Sequence, residues 1–271
     1  MNFFYISFFV FFLGLIFGSF INVVIYRLKH GGTVISGRSK CPKCKKTLGF
    51  FDLIPILSFV FLGGKCRYCN RKISYQYPIV ELSSGIILLL IYLKLDYIKT
   101  QFDVFSQAND IILFIFLGFF FLSLLAIFVY DLFYYIIPDS VILPLVLVSV
   151  LYYGLSYVLG IDFSLSDHVL GMFLYSGFFA AQYFLSKGKW VGGGDIKLGL
   201  ALGLILGWQL TLVSLMIAYI AGSVISIILI GLGKKTRKDI IPFGPFLIAS
   251  AFISLFWGNL FIDWYLGVVL S

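Results

Sequence analysis

The chain is built from apolar runs of the length that crosses a bilayer. They fall at residues 3–26, 78–95, 110–130, 140–160, 168–186, 195–208, 209–233 and 243–270. A membrane-spanning helix needs about 20 consecutive apolar residues, and most of these runs meet that length. The run at 195–208 reaches only about 20 Å against a hydrocarbon core of about 30 Å. Such a helix must be buried among others, or the bilayer must thin beside it. Hydrophobic side chains make up 61% of the 271 residues and charged ones 12%. With a mean hydropathy of +1.05, neither a disordered chain nor a soluble globule could accommodate that surface. The fold class expected is therefore an all-α polytopic membrane protein with about eight transmembrane helices.

Charge sets the orientation. The formal net charge is +8, yet no Lys or Arg precedes the first run; the first is Arg27. A cleavable secretory signal has the reverse order, so residues 1–26 read as a retained first transmembrane helix with its N-terminus outside. Alternating the spans from there places 27–77, 131–139, 187–197 and 234–239 inside. Those segments hold all of the twenty basic residues except Lys94 and Lys99. Cytoplasmic loops attract basic residues, which favours this topology, with both termini outside. The basic balance then reflects orientation and attraction to anionic lipid, and calls for no nucleic acid.

Residues 27–77 differ in kind. They are too polar to span, Asp52 is their single acid, and all four cysteines of the chain lie there. Cys41-Pro-Lys-Cys44 and Cys66-Arg-Tyr-Cys69 have the spacing of two zinc knuckles. On the cytoplasmic side structural disulfides are disfavoured, and no thioredoxin-like context accompanies the pairs. Four thiolates leave no open coordination position, so the zinc expected here is structural. Lys43, Lys45, Lys65 and Arg67 would offset its charge. A domain this small gains a core from its metal. The organisation expected is a first helix over 1–26, a cytoplasmic four-cysteine zinc domain over 27–77, and a membrane bundle of about seven helices over 78–271. No internal sequence repeat is evident.

The acids sort by position. Asp96, Asp103, Asp110, Asp162, Asp167 and Asp263 read as solvated charge near outer loops, and Asp239 as a local ion-pair partner. Asp52 lies in the basic domain, and Glu81, the single glutamate, sits about one turn into the second span and reads as a structural ion-pair partner of a domain Arg or Lys. Asp131 and Asp195 stand apart. Both lie at the cytoplasmic membrane boundary, on different spans, where carboxylates are costly and mark function. Two carboxyls in one cleft can share a proton; the ionised one activates water while the neutral one polarises a carbonyl. Asp195 follows Gly192-Gly193-Gly194, whose backbone permits close approach, although it could equally cap the helix it opens. Asp139, after Pro138, fits an N-cap. Asp195, Gly199, Gly203 and Gly207 recur every four residues, a stripe that would let a partner span or a substrate helix come close. His30 and His168 have no triad-like neighbours, and no nucleotide fingerprint is present.

Taken together these residues resemble a family, the type IV prepilin peptidases or prepilin leader peptidase/N-methyltransferases. Gly14-Leu15-Ile16-Phe17-Gly18-Ser19-Phe20-Ile21-Asn22 with Tyr26-Arg27-Leu28 resembles the family's opening signature. The first cysteine segment runs on to Asp52-Leu53-Ile54-Pro55, and the second to Tyr77-Pro78 and Glu81-Leu82. Asp131 with Ile137-Pro138-Asp139, the Gly192-Gly193-Gly194-Asp195-Ile196-Lys197 motif, and Ile241-Pro242-Phe243-Gly244-Pro245-Phe246 complete the series. The resemblance implies a GxGD-type aspartic protease of the bacterial inner membrane, with Asp131 and Asp195 as catalytic pair. It would cut the basic leader from prepilins and pseudopilins. It also implies N-methylation of the new N-terminus from S-adenosylmethionine, associated with the cysteine domain. No residue is assigned to that donor. The rival readings are a metal-regulated transporter with a paired-aspartate proton relay and a pilus-base scaffold.

Overall fold

The computed structural model describes residues 2–31, 37–101, 109–161, 163–236 and 239–270. Among them it is helical, with α1 (Asn2–His30), α2 (Leu57–Phe61), α3 (Gln76–Leu93), α4 (Leu95–Gln101), α5 (Asp110–Tyr134), α6 (Asp139–Val158), α7 (Leu165–Ser186), α8 (Gly193–Gly231) and α9 (Gly244–Leu270). Seven of these are long and apolar enough to span a membrane. Their outward faces expose large apolar side chains such as Ile111, Ile115, Leu151 and Ile227, as lipid-facing helices do. Asp103 and Asp162 lie outside the described residues.

The chain forms two compact units, Met1–Leu95 with Asp110–Ala126, and Asp96–Asn109 with Ile127–Ser271. In the first, α1 and α3 pack antiparallel through small residues. A Cβ on Gly14 would lie 2.6 Å from the Gly85 Cα, and one on Gly18 2.6 Å from the Glu81 Cα. The helices can approach this closely only because those side chains are absent. The Ser84 hydroxyl donates to the Gly14 carbonyl at 2.6 Å, and Asn22 Nδ2 to the Tyr77 carbonyl at 3.1 Å.

Between these helices the two cysteine pairs form matched hairpins. The Cys41 N–H donates to Lys46 O and the Cys66 N–H to Arg71 O, both at 2.9 Å. Leu48 N–H reaches Ser39 O at 2.9 Å, and Ile73 N–H reaches Gly64 O at 2.8 Å. Lys45 and Asn70 occupy the same left-handed position, with φ of 60° and 56°. This is a structural repeat that the sequence conceals, because the matched segments share the cysteines and little else.

In the second unit the 39-residue α8 is interrupted at Gly207, whose φ of 71° and ψ of 176° are not helical. Its contacts with α7 show what the interruption does. A Cβ on Gly199 would meet Ser176, His168 Nδ1 pairs with Leu204 O at 2.8 Å, and Gly207 lies beside Asp167 and His168. Beyond Gly207 the order reverses. Tyr175 Oη pairs with Ser214 Oγ at 2.9 Å, and Gln182 Nε2 donates to Tyr219 Oη at 2.8 Å. Residues 193–206 thus run antiparallel to α7 and 208–231 run back along it. The eight apolar runs correspond to eight helical segments, two of them within α8. His168 is a buried structural residue, its ring tilted against that of Tyr153.

Candidate active site and metal centre

Asp131 comes from the last turn of α5, where the following backbone turns sharply. Tyr135 N–H donates to Asp131 O at 2.8 Å, and Tyr135 adopts φ of 59°. That left-handed residue ends the helix and carries the chain to Ile137. Asp195 sits three residues past Gly192, at the start of α8. Its Oδ2 accepts from the Gly192 N–H at 3.1 Å, the reach-back half of a capping box. Asp195 therefore satisfies one N–H at the start of its helix from position N3, which uses only part of a carboxylate's acceptor capacity.

The structure brings the two together. Both are buried, Asp131 at 5% and Asp195 at 8% exposure, and Asp195 feels the charge of Asp131. Ile137 packs under the glycine turn; a Cβ on Gly194 would lie 2.9 Å from the Ile137 Cβ. Gly244, the first residue of α9, closes the other side. A Cβ there would lie 2.6 Å from Asp131 Oδ2 and 3.6 Å from Ile137 Cδ1. The Gly244 N–H also bonds the Asp131 carboxyl. Sequence reasoning saw Gly244 only as part of a motif; that it borders a carboxylate is a contact across more than a hundred residues.

Asp139 is not the N-cap. Pro138 occupies that position with extended backbone, and Asp139 is the first residue of α6, where its charge still opposes the helix dipole. Its Oδ1 accepts from Lys197 Nζ at 2.6 Å, an exposed pair joining the start of α6 to the start of α8. Asp239 accepts from Thr236 N and Oγ1 at 2.6 and 2.9 Å; the Thr236 N–H bond holds its pKa below the usual carboxylate range. The small-residue stripe of α8 faces α7, a partner span. A Cβ on Gly203 would lie 2.6 Å from the Gly171 backbone carbon and 2.8 Å from the Met172 Cα.

In the first unit the four cysteine sulfurs lie within 4.8 Å of one another. Four convergent thiols at that spacing suit a tetrahedral zinc. Asp52 links the knuckles to the turn between them. Its Oδ1 pairs with Arg67 Nε at 2.7 Å, and its Oδ2 accepts from Gly49 N at 3.0 Å and Tyr68 Oη at 3.3 Å. Desolvation pushes the Asp52 pKa up, but the Gly49 bond and the Arg67 charge outweigh it, so the net shift is downward. Glu81, expected to pair with a domain Arg or Lys, is held by a backbone group: its Oε2 accepts from the Ile56 N–H at 2.7 Å.

Two family models match the chain. Residues 12–95 match the family model described as bacterial peptidase A24 N-terminal domain, and residues 118–227 the type IV leader peptidase family. The chain is 30% identical to a prepilin leader peptidase/N-methyltransferase of Legionella pneumophila, over 92% of this chain and 91% of the relative. It is 30% identical to that of Aeromonas salmonicida (strain A449), over 96% and 94%. It is 29% identical to that of Bacillus subtilis (strain 168), over 97% and 98%. No solved structure matches.

Proposed function

The chain belongs to the type IV leader peptidase family, and on that premise we propose that Asp131 and Asp195 are the pair with which it cleaves prepilin leaders. The protein is a prepilin peptidase with N-methyltransferase activity. One observation carries the assignment of the pair: two carboxyls from separate helices are both buried, with Asp195 within reach of the charge of Asp131 and Gly244 set against Asp131. The ionised carboxylate takes a proton from water, whose oxygen attacks the scissile carbonyl carbon. The neutral carboxyl gives its proton to the carbonyl oxygen, and collapse of the adduct breaks the C–N bond as the amine takes a proton. The glycine turn leaves room for substrate backbone beside Asp195.

The substrates in this proposal are type IV prepilins and pseudopilins, each a basic leader followed by a long apolar helix. Lipid beside the spans accommodates that helix, so its leader junction meets the cytoplasmic face of the inner membrane. The N- and C-termini lie outside and residues 27–77 inside, as the distribution of Lys and Arg supports. Residues 78–271 form the peptidase bundle, and no nucleic acid takes part. Cys41, Cys44, Cys66 and Cys69 hold a structural zinc that folds the cytoplasmic domain. S-adenosylmethionine supplies the methyl group for the new N-terminus. Incubating purified protein with a model prepilin, with and without S-adenosylmethionine, tests this reading by mass spectrometry. A cut after the leader and one methyl added to the mature N-terminus are expected. An intact prepilin together with metal-dependent proton transport in vesicles would favour the transporter reading.

A further inference from the structure

A cavity of about 710 Å³ opens in the first unit, between the C-terminal end of α1, the N-terminal end of α3 and the two knuckles. That volume falls within the roughly 300–1,000 Å³ of small-molecule sites. Its wall includes Asn22, Tyr26 and Arg27 from α1, Tyr77 and Glu81 from α3, and Arg71 beside the second knuckle. A basic leader would be repelled by the many Lys and Arg side chains around it. The wall suits a compact ligand carrying both signs of charge and an aromatic ring.

Glu81 is the group the peptidase chemistry leaves unused. It is the single glutamate of the chain and is buried at 7% exposure. The backbone that meets it is strained. Ile56, whose N–H donates to Glu81, has φ of 60° and ψ of −51°, an outlier for a β-branched side chain. Strain of this kind persists only where surrounding structure over-determines it, and it gathers at functional sites. A carboxyl group held this way is fixed in the wall of the cavity.

We propose that this cavity binds S-adenosylmethionine, with Glu81 supplying the negative charge that faces its cationic part. The proposal rests on the N-methyltransferase reading. The donor set fits: carboxylates for the sulfonium and ammonium, guanidinium groups for the α-carboxylate, and the Tyr26 and Tyr77 rings for the cation or the purine. In the transfer, the neutral N-terminal amine forms a bond to the methyl carbon. The carbon–sulfur bond breaks with its electrons left on sulfur, which becomes a neutral thioether, and the amine's proton passes to water. Cys41 and Cys66 also line the cavity, so the metal that orders the knuckles also shapes the donor site.

The test uses full-length protein in lipid nanodiscs and radiolabelled S-adenosylmethionine. Ultraviolet cross-linking followed by peptide mapping should place the label within residues 19–81. Glu81→Gln keeps an acceptor for the Ile56 N–H but removes the charge, so binding at equilibrium should weaken by about tenfold or more. Zinc content and monodispersity report its folding, and the wild-type cross-link map needs no variant. Label mapping outside 19–81, or wild-type affinity in folded Glu81→Gln, overturns the proposal. A protein that methylates cleaved prepilin yet cross-links elsewhere overturns the cavity alone. One that cleaves but neither binds the donor nor methylates overturns both the cavity and the methyltransferase reading.

Discussion

At the scale of single residues, the site depends on a side chain that is missing. Gly244 leaves no room for a methyl group, since its Cβ would press on Asp131 Oδ2 at 2.6 Å. Gly244→Ala should displace that carboxyl and lower cleavage on the order of 100-fold, because small misplacements of reacting groups are costly. Rates of prepilin cleavage would show this, and a wild-type rate would mean that Asp131 can move without penalty. Asp139→Asn should change cleavage little, since the Lys197 pair it breaks is exposed on both sides and such pairs contribute under about 1 kcal/mol. Asp52 carries a pH dependence. Its folded pKa is depressed, so its contribution is complete above the unfolded value of about 3.9 and is lost as pH falls through the folded value. Asp52→Asn should therefore release zinc to a chelator faster than wild type at neutral pH, and the gap should narrow on acidification. Equal release rates at pH 7 would show that the Arg67 and Gly49 contacts do not hold the knuckles together.

At the scale of elements, α7 and the first half of α8 meet backbone to backbone. Gly203→Leu would drive a side chain into Gly171 and Met172 and push α8 away from α7, carrying Asp195 with it. Cleavage should fall sharply while zinc content stays normal, as rate assays and metal analysis would reveal. Undiminished turnover would mean that the stripe is ordinary packing without influence on the site. The stripe was legible in the sequence because a four-residue period is a local property of a helix. So were the two cysteine pairs, since zinc spacing is also local. The duplicated knuckle was not, because its repeat lies in backbone hydrogen bonds and left-handed residues that Lys45 and Asn70 satisfy with different side chains. The role of Asp139 was misjudged by one position, since Pro138 takes the cap and leaves Asp139 free to reach Lys197.

At the scale of the whole molecule, the apolar runs announced a polytopic bundle, and even the short run at 195–208 anticipated the reversal at Gly207. The surroundings of Asp131 could not be read, because Ile137, Gly194 and Gly244 converge only through the packing of separate helices. The proposed division of labour predicts that replacing Cys41 and Cys44 with Ser removes zinc and N-terminal methylation while peptide-bond cleavage persists. Mass spectrometry of the processed pilin N-terminus would detect this, and full methylation by zinc-free protein would contradict it. The central claim is that Asp131 and Asp195 act as one catalytic unit. The measurement that reaches it most directly is the cleavage rate of a model prepilin by purified Asp131→Asn, Asp195→Asn and the double variant, each verified for folding. The account predicts that each single substitution abolishes cleavage and that the double is no worse than either. Normal cleavage by folded Asp131→Asn or Asp195→Asn would contradict it.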